Sequence, residues 1–354
     1  MGKYIMSGAK DLHNVARAGM LNKVNWDILT ESDILRYDLN GNTPLQVAVS
    51  HGFLEQIPLD ILRKYITRPL SKISVMGSGS TTLMHTIANY GFSNLPADLL
   101  TVENLAIRDE DGCSPLSVAA ITGSVRQIPK GLLGENLLEK SNQGVMPLHN
   151  MVRHGSIDCV PASILTVENL KIADSRSVNS IHRAAYAGNL ALLPKGSSNL
   201  ENLLLRDING MNCLHMAAVG GKLTEIPWGC VTDAAARLST AGSAPDYVGG
   251  FTLFHHAASR GYLDQIPTDF LTWSNLLIGH QVRHFGLPIT SLEIANTALA
   301  LAKNKGHLDQ LLGVEFPQTC KFVIGTDWWA KNERLISERK SLGSLDGPQE
   351  LDLF

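Results

Sequence analysis

Histidine is the side chain best suited to chemistry near neutral pH, and this chain carries 12 of them among 354 residues. Six stand at one repeating place: His13, His85, His149, His182, His215 and His255. A histidine that recurs in register behaves as a structural group, hydrogen-bonding backbone between neighbouring units. A catalytic base is needed only once. His255 and His256 are adjacent, so on a helix they point to different sides and predict no metal site. Gly77 to Thr81 (GSGST) is glycine-rich but lacks the lysine that a phosphate loop requires, and reads as a flexible loop. Cys113, Cys159, Cys213, Cys230 and Cys320 lie far apart with no paired spacing, which predicts small core residues rather than a zinc site or a disulfide framework. No GxSxG, HExxH or CxxC pattern occurs. The expectation is a non-enzyme with no cofactor and no metal.

The elements that position these histidines are set by a glycine that returns at Gly19, Gly52, Gly91, Gly123, Gly155, Gly188, Gly221, Gly261 and Gly306. From Gly91 to Gly221 the successive gaps are 32, 32, 33 and 33 residues, the mark of a repeat array. Seven places before each glycine stands an apolar residue: Leu12, Leu45, Met84, Leu116, Leu148, Ile181, Leu214, Phe254 and Leu299. Three and four places further on come small residues such as Ala119 and Ala120 or Ala217 and Ala218, which completes a helical stripe. Thr43-Pro44 and Ser114-Pro115 supply an N-cap and a proline in the first turn, while the glycine ends the helix. Proline then recurs at Pro58, Pro96, Pro129, Pro161, Pro194, Pro227 and Pro267. Each unit is therefore predicted to hold a first helix, a one-turn segment ending at the proline, a short second helical stretch capped by threonine (LTVENL at Leu100 and Leu165), and a turn such as Arg206 to Gly210. Longer spacings predict insertions at Arg68 to Ser80, Val231 to Gly250 and Ile278 to Asn296.

From Leu12 to about Leu312 these units resemble the ankyrin-repeat family, whose signature reads TPLHxAAxxG; Gly210 to Gly221 (GMNCLHMAAVGG) is a good example. The resemblance implies an all-α fold, an ankyrin-like repeat solenoid of about eight to nine units over residues 1–312. The prolines depart from the family's second helix, which usually continues through a Val-x-x-Leu-Leu run. In the family, partners are held by the concave face of the first helices and by the inter-repeat loops. Positions five, two and one before the glycine are then the groove candidates, here Tyr90, Arg153, His154, Arg183, Tyr186, Met216, His256 and Arg260. Arginine and tyrosine are enriched in binding hot spots, and this set suits an acidic or mixed protein surface.

Composition agrees with a protein-binding array. The chain is 44% hydrophobic and 18% charged with a net charge of -3, which supports a long buried core and gives no basic footprint for direct nucleic-acid binding. No apolar run approaches the roughly 18 residues of a membrane span. Met1 to Ser7 lacks both a signal-peptide core and the hydroxyl residue a myristoylation signal needs, so the expected location is cytoplasmic.

Beyond the array, residues 313–340 read as a capping segment in which Asp327 starts a helix and Trp328-Trp329 either seal the end or present an exposed anchor, and residues 341–354 as a flexible tail with a linear motif. The tail carries Gln349, Glu350, Leu351, Asp352, Leu353 and Phe354. These residues are similar to the peptide by which bacterial replication and repair proteins grip the DNA polymerase sliding clamp, commonly Gln, Leu, Ser or Asp, Leu, Phe. Leu351 to Phe354 match its last four places; Glu350 stands where glutamine is preferred, with Gln349 one residue early. The leading expectation is an adaptor that holds a protein partner in its groove and the clamp by its tail. The alternative is an inhibitor or decoy, such as a phage or bacterial anti-defence or host-modulating factor, that acts through the repeats alone.

Overall fold

The computed structural model describes residues 9–70, 81–240, 250–276, 297–312, 314 and 326–343. The described residues are helical, with no strand and only an isolated bridge between Pro69 and Thr82. They form two compact units, Met1–Ser175 and Arg176–Phe354. Residues 71–80, 241–249 and 278–296 of the three predicted insertions, and the whole of the Gln349 to Phe354 motif, lie outside the described residues.

In the first unit the helices are α1 (Ala9–Arg17), α2 (Glu31–Ile34), α3 (Pro44–Ser50), α4 (Leu59–Tyr65), α5 (Leu83–Tyr90), α6 (Val102–Ala106), α7 (Pro115–Thr122), α8 (Pro147–Arg153) and α9 (Val167–Lys171). The helices that end before the recurring glycine, α1, α3, α5, α7 and α8, pack in chain order, each on the next. Leu45, Met84, Leu116 and Leu148 are fully buried at the same place in each. Caps explain where these helices begin: Thr43 Oγ1 accepts from the Gln46 N–H, Thr82 from His85 and Ser114 from Ser117, with Pro44 and Pro115 in the first turn.

The second unit repeats this with α10 (Ser180–Ala187), α11 (Leu200–Leu203), α12 (Cys213–Gly220), α13 (Asp233–Ala236), α14 (Leu253–Arg260), α15 (Trp273–Leu276) and the helices Ala298–Asn304 and Thr326–Gly343. α10 packs on α12, α12 on α14, and α14 on Ala298–Asn304. Ala184, Ala185, Ala217, Ala218, Ala257 and Ala258 are fully buried, which lets the backbones approach closely. Closest is Gly220, where a Cβ would overlap the Tyr186 carbonyl oxygen of α10. Gly221 then ends α12 in the left-handed region, at φ +67°, and the Tyr262 ring lies where its side chain would stand.

After Gly52, Gly123, Gly155, Gly188, Gly221 and Gly261 comes one 3₁₀ turn, then the proline. Pro58 stands at the N-cap of α4, while Pro129, Pro227 and Pro267 start a second 3₁₀ turn instead and Pro96 starts the first after Gly91. Proline's fixed φ and missing N–H suit a first turn and exclude a helix interior, so the second helix is displaced downstream and shortened. There Thr101, Thr166 and Thr232 cap α6, α9 and α13. The asparagine of each ENL triplet folds back: Asn104 Nδ2 donates to Leu99 O at 2.8 Å and Asn169 Nδ2 to Ile164 O at 2.8 Å.

Helix Thr326–Gly343 is tied to the end of the second unit. Trp329 is 4% exposed, Asn332 Nδ2 donates to Val314 O at 2.9 Å, and Lys331 Nζ donates to Asp309 at 3.2 Å. No described helix is long and apolar enough to cross a membrane.

Candidate functional site

Of the recurring histidines, His85, His149, His182 and His215 are engaged at both ring nitrogens. At the start of its own helix, Nδ1 accepts from a backbone N–H: from Thr82 for His85, Met146 for His149, Asn212 for His215 and Thr252 for His255. At the far edge, Nε2 meets a carbonyl oxygen that lies later in the chain: Asn42 O for His13 (3.0 Å), Cys113 O for His85 (3.1 Å) and Phe251 O for His215 (3.2 Å). The neutral tautomer with the proton on Nε2 satisfies both contacts, which fixes the ring as a strut between its own helix and the turn that follows it in the same unit. His149 and His182 reach Ile172 O and Leu205 O, the residues that follow α9 and α11.

A second strut, formed by glutamine, has no counterpart in the sequence expectations. Gln56 Oε1 accepts from the Leu21 N–H at 3.0 Å, Gln127 from Phe92 at 2.6 Å, Gln265 from Leu223 at 3.0 Å and Gln310 from Leu263 at 3.2 Å. Each reaches back to the turn after the preceding unit's glycine. Its signal in the sequence is a glutamine two places before the proline, in Gln56-Ile57-Pro58, Gln127-Ile128-Pro129 and Gln265-Ile266-Pro267.

The groove candidates divide between the two units. In the first, Tyr90 is 58% exposed and ends α5, while Arg153 and His154 are exposed at the end of α8. Burial pushes the His154 pKa below its ordinary value, helped by the neighbouring Arg153 charge. In the second unit Tyr186 is 40% exposed, Arg260 is exposed, and Arg183, Met216 and His256 are half-buried. The place five before the glycine is thus more covered than the two places just before it. In the first unit it is buried at Val47, Thr86, Val118 and Asn150 and exposed at Asn14.

His256 shows why. Its ring meets His215 edge-on at 5.8 Å between centroids and lies 5.7 Å from the Phe251 ring, and its Nε2 is buried without a hydrogen-bond partner. Burial, with Arg260 adding to it, pushes the His256 pKa down to about 4; burial and then His256 push that of His215 down to about 3. His256 is held neutral against the core of the unit, its outer edge beside Arg260. Neither a family model nor a curated protein matches this chain.

The front helices of the second unit carry basic side chains and no acidic one: α10, α12, α14 and Ala298–Asn304 contain Arg183, Arg260 and Lys303 but neither Asp nor Glu. The residue after each glycine lies flat over the glycine before it. The Lys222 stem covers Gly188, the Tyr262 ring Gly221 and the His307 ring Gly261. Cationic and aromatic groups therefore continue past the helix ends. Among the described residues no three His, Cys, Asp or Glu side chains converge as a metal site would require. What this arrangement can do chemically is bind, through charge, stacking and shape, along the exposed ends of successive helices.

Proposed function

We propose that the chain is an ankyrin-like repeat solenoid working as a non-enzymatic adaptor. It holds a protein partner on the exposed ends of its front helices, and it engages the DNA polymerase sliding clamp of bacteria through Gln349 to Phe354. The observation that carries the first half is the acid-free front-helix face of the second unit, where Met216 is half-buried and Arg260 exposed beside a framework held by its histidine and glutamine struts. Side chains not consumed by packing are those available to a partner. The second half rests on the tail's four matching residues, Leu351 to Phe354, whose apolar members suit a hydrophobic pocket.

Joining two modest sites on one chain raises effective concentration without demanding high affinity from either. The test is calorimetric titration of a purified bacterial sliding clamp with the full chain and with a Leu353→Ala, Phe354→Ala variant. Micromolar binding that the double substitution abolishes supports the clamp contact. Equal heats from both proteins, or none from either, removes the clamp from the proposal and leaves a partner-binding array.

A further inference from the structure

We propose that the front-helix face of the second unit takes an acidic segment of a partner protein, with one carboxylate meeting a cation at each successive helix end. This rests on the groove reading above and names the chemistry of its partner.

Charge decides the class of partner. The helices α10, α12, α14 and Ala298–Asn304 contain no carboxylate. Lys222, Arg260 and Lys305, at or just beyond their ends, are exposed and have no ion-pair partner among the described residues. In the first unit, by contrast, Arg63 is paired with Asp98, Arg108 with Glu139 and Arg126 with Asp158. The front helices there offer no comparable row, since α3, α5 and α7 contain no Lys, Arg, Asp or Glu. A chain of net charge -3 thus keeps three unpaired cations along one row of helix ends, which carboxylates complement.

Spacing decides how those carboxylates are arranged. The Lys222 stem covers Gly188 at the end of α10, Arg260 is the last residue of α14, and Lys305 caps the next front helix. Arg260 and Lys305 stand at the same place, one before the glycine, on helices that pack directly on each other. Packed helices lie about 8–10 Å apart. An extended chain advances about 10 Å in three residues, so an acid at every third position keeps step with the row. The residues between the acids meet the exposed Tyr186 ring and the half-buried Met216 and Val219, which suit apolar side chains.

Fluorescence anisotropy of the full chain with a labelled peptide of four Glu-Leu-Tyr repeats tests this. Saturable micromolar binding is expected. It should weaken several-fold at 0.5 M salt, which screens exposed pairs, and in Arg260→Glu and Lys305→Glu variants shown by circular dichroism to be folded. Lys130→Glu, on an exposed turn of the first unit, should leave it unchanged. A peptide of the same composition with its glutamates contiguous should bind several-fold more weakly, and equal binding overturns the register. No binding, equal binding of a Lys-Leu-Tyr peptide, or binding indifferent to both charge reversals overturns the acidic class. If Tyr186→Ala still weakens either peptide, the groove reading survives that result; if no front-helix substitution matters, the groove reading falls with it. Oligothymidine that binds more tightly and displaces the peptide overturns the proposal in favour of a nucleic acid.

Discussion

Lowering the pH from 7.5 to 5 should cost the second unit about 4 kcal/mol of stability, most of it through one pair of rings. His215 and His256 are packed edge-to-face inside the unit, with Arg206 and Arg260 as the charged groups acting on them and no carboxylate among the causes of either shift. Burial lowers the folded pKa of both, to about 3 for His215 and about 4 for His256, against 6.5 in the unfolded chain. Below pH 6.5 the unfolded state takes up protons that the folded state refuses, so stability present at pH 7.5 is lost as pH falls toward 4. At pH 5 each ring lies about 1.5 units below its unfolded pKa, and at about 1.36 kcal/mol per unit that is about 2 kcal/mol per histidine. The carboxylates held below their usual range, Asp33, Asp98, Glu103 and Asp158, belong to the other unit and titrate below this window. Urea unfolding followed by circular dichroism at the two pH values measures the loss, and His256→Met should halve it. A stability unchanged between pH 7.5 and 5, or a loss that His256→Met leaves at full size, refutes the claim that these rings are held neutral by burial.

Three substitutions probe the framework around that pair. Ser177 has φ +58°, at the place in its turn that Gly41, Gly112, Gly144 and Gly210 fill in the others, so Ser177→Gly should stabilise by about 1 kcal/mol in urea unfolding, and a loss would mean the serine is not strained. Gly220→Ala should cost at least about 2 kcal/mol, since its Cβ would overlap the Tyr186 carbonyl; a melting temperature unchanged within error would show that α10 and α12 do not pack as closely as described. Asn212 places Oδ1 2.7 Å from His215 Nδ1 and leaves its own buried Nδ2 without a partner, whereas Thr252 offers a hydroxyl to His255 at 2.8 Å. Asn212→Thr should therefore stabilise by about 1 kcal/mol, and a destabilised protein would show that the amide caps α12 better than a hydroxyl does.

The front helices were legible in the sequence because each signal there has one physical meaning. An apolar residue seven places before a glycine can only be buried if the helix is to stack, and Leu45, Met84, Leu116, Leu148, Ile181, Leu214, Phe254 and Leu299 all are. The recurring histidine was legible for the same reason, as a polar group that must find backbone when buried. The glutamine struts were not. A glutamine on an exposed turn is ordinary in composition, and only the position of the N–H left free after the preceding glycine gives it work, which is a fact of three dimensions. The insertions and the tail carry no such period, so their sequence offers no repeating slot from which to read packing.

That contrast says where function should be sought. Packing imposes the same residue on the same slot in every unit, so slots that repeat report the framework. From Val47 to Asn150 the place five before the glycine is a buried valine, threonine or asparagine, after an exposed Asn14, whereas in the second unit Arg183, Met216, His256 and Leu301 are all half-buried. Packing alone would accept a small buried side chain there, as Val47 and Val118 show. A basic or large flexible residue in its stead keeps a polar or polarizable group at the rim of the core, a cost that binding can offset. The departure from the repeat, more than the repeat itself, is what favours the second unit as the face on which to test the proposed partner.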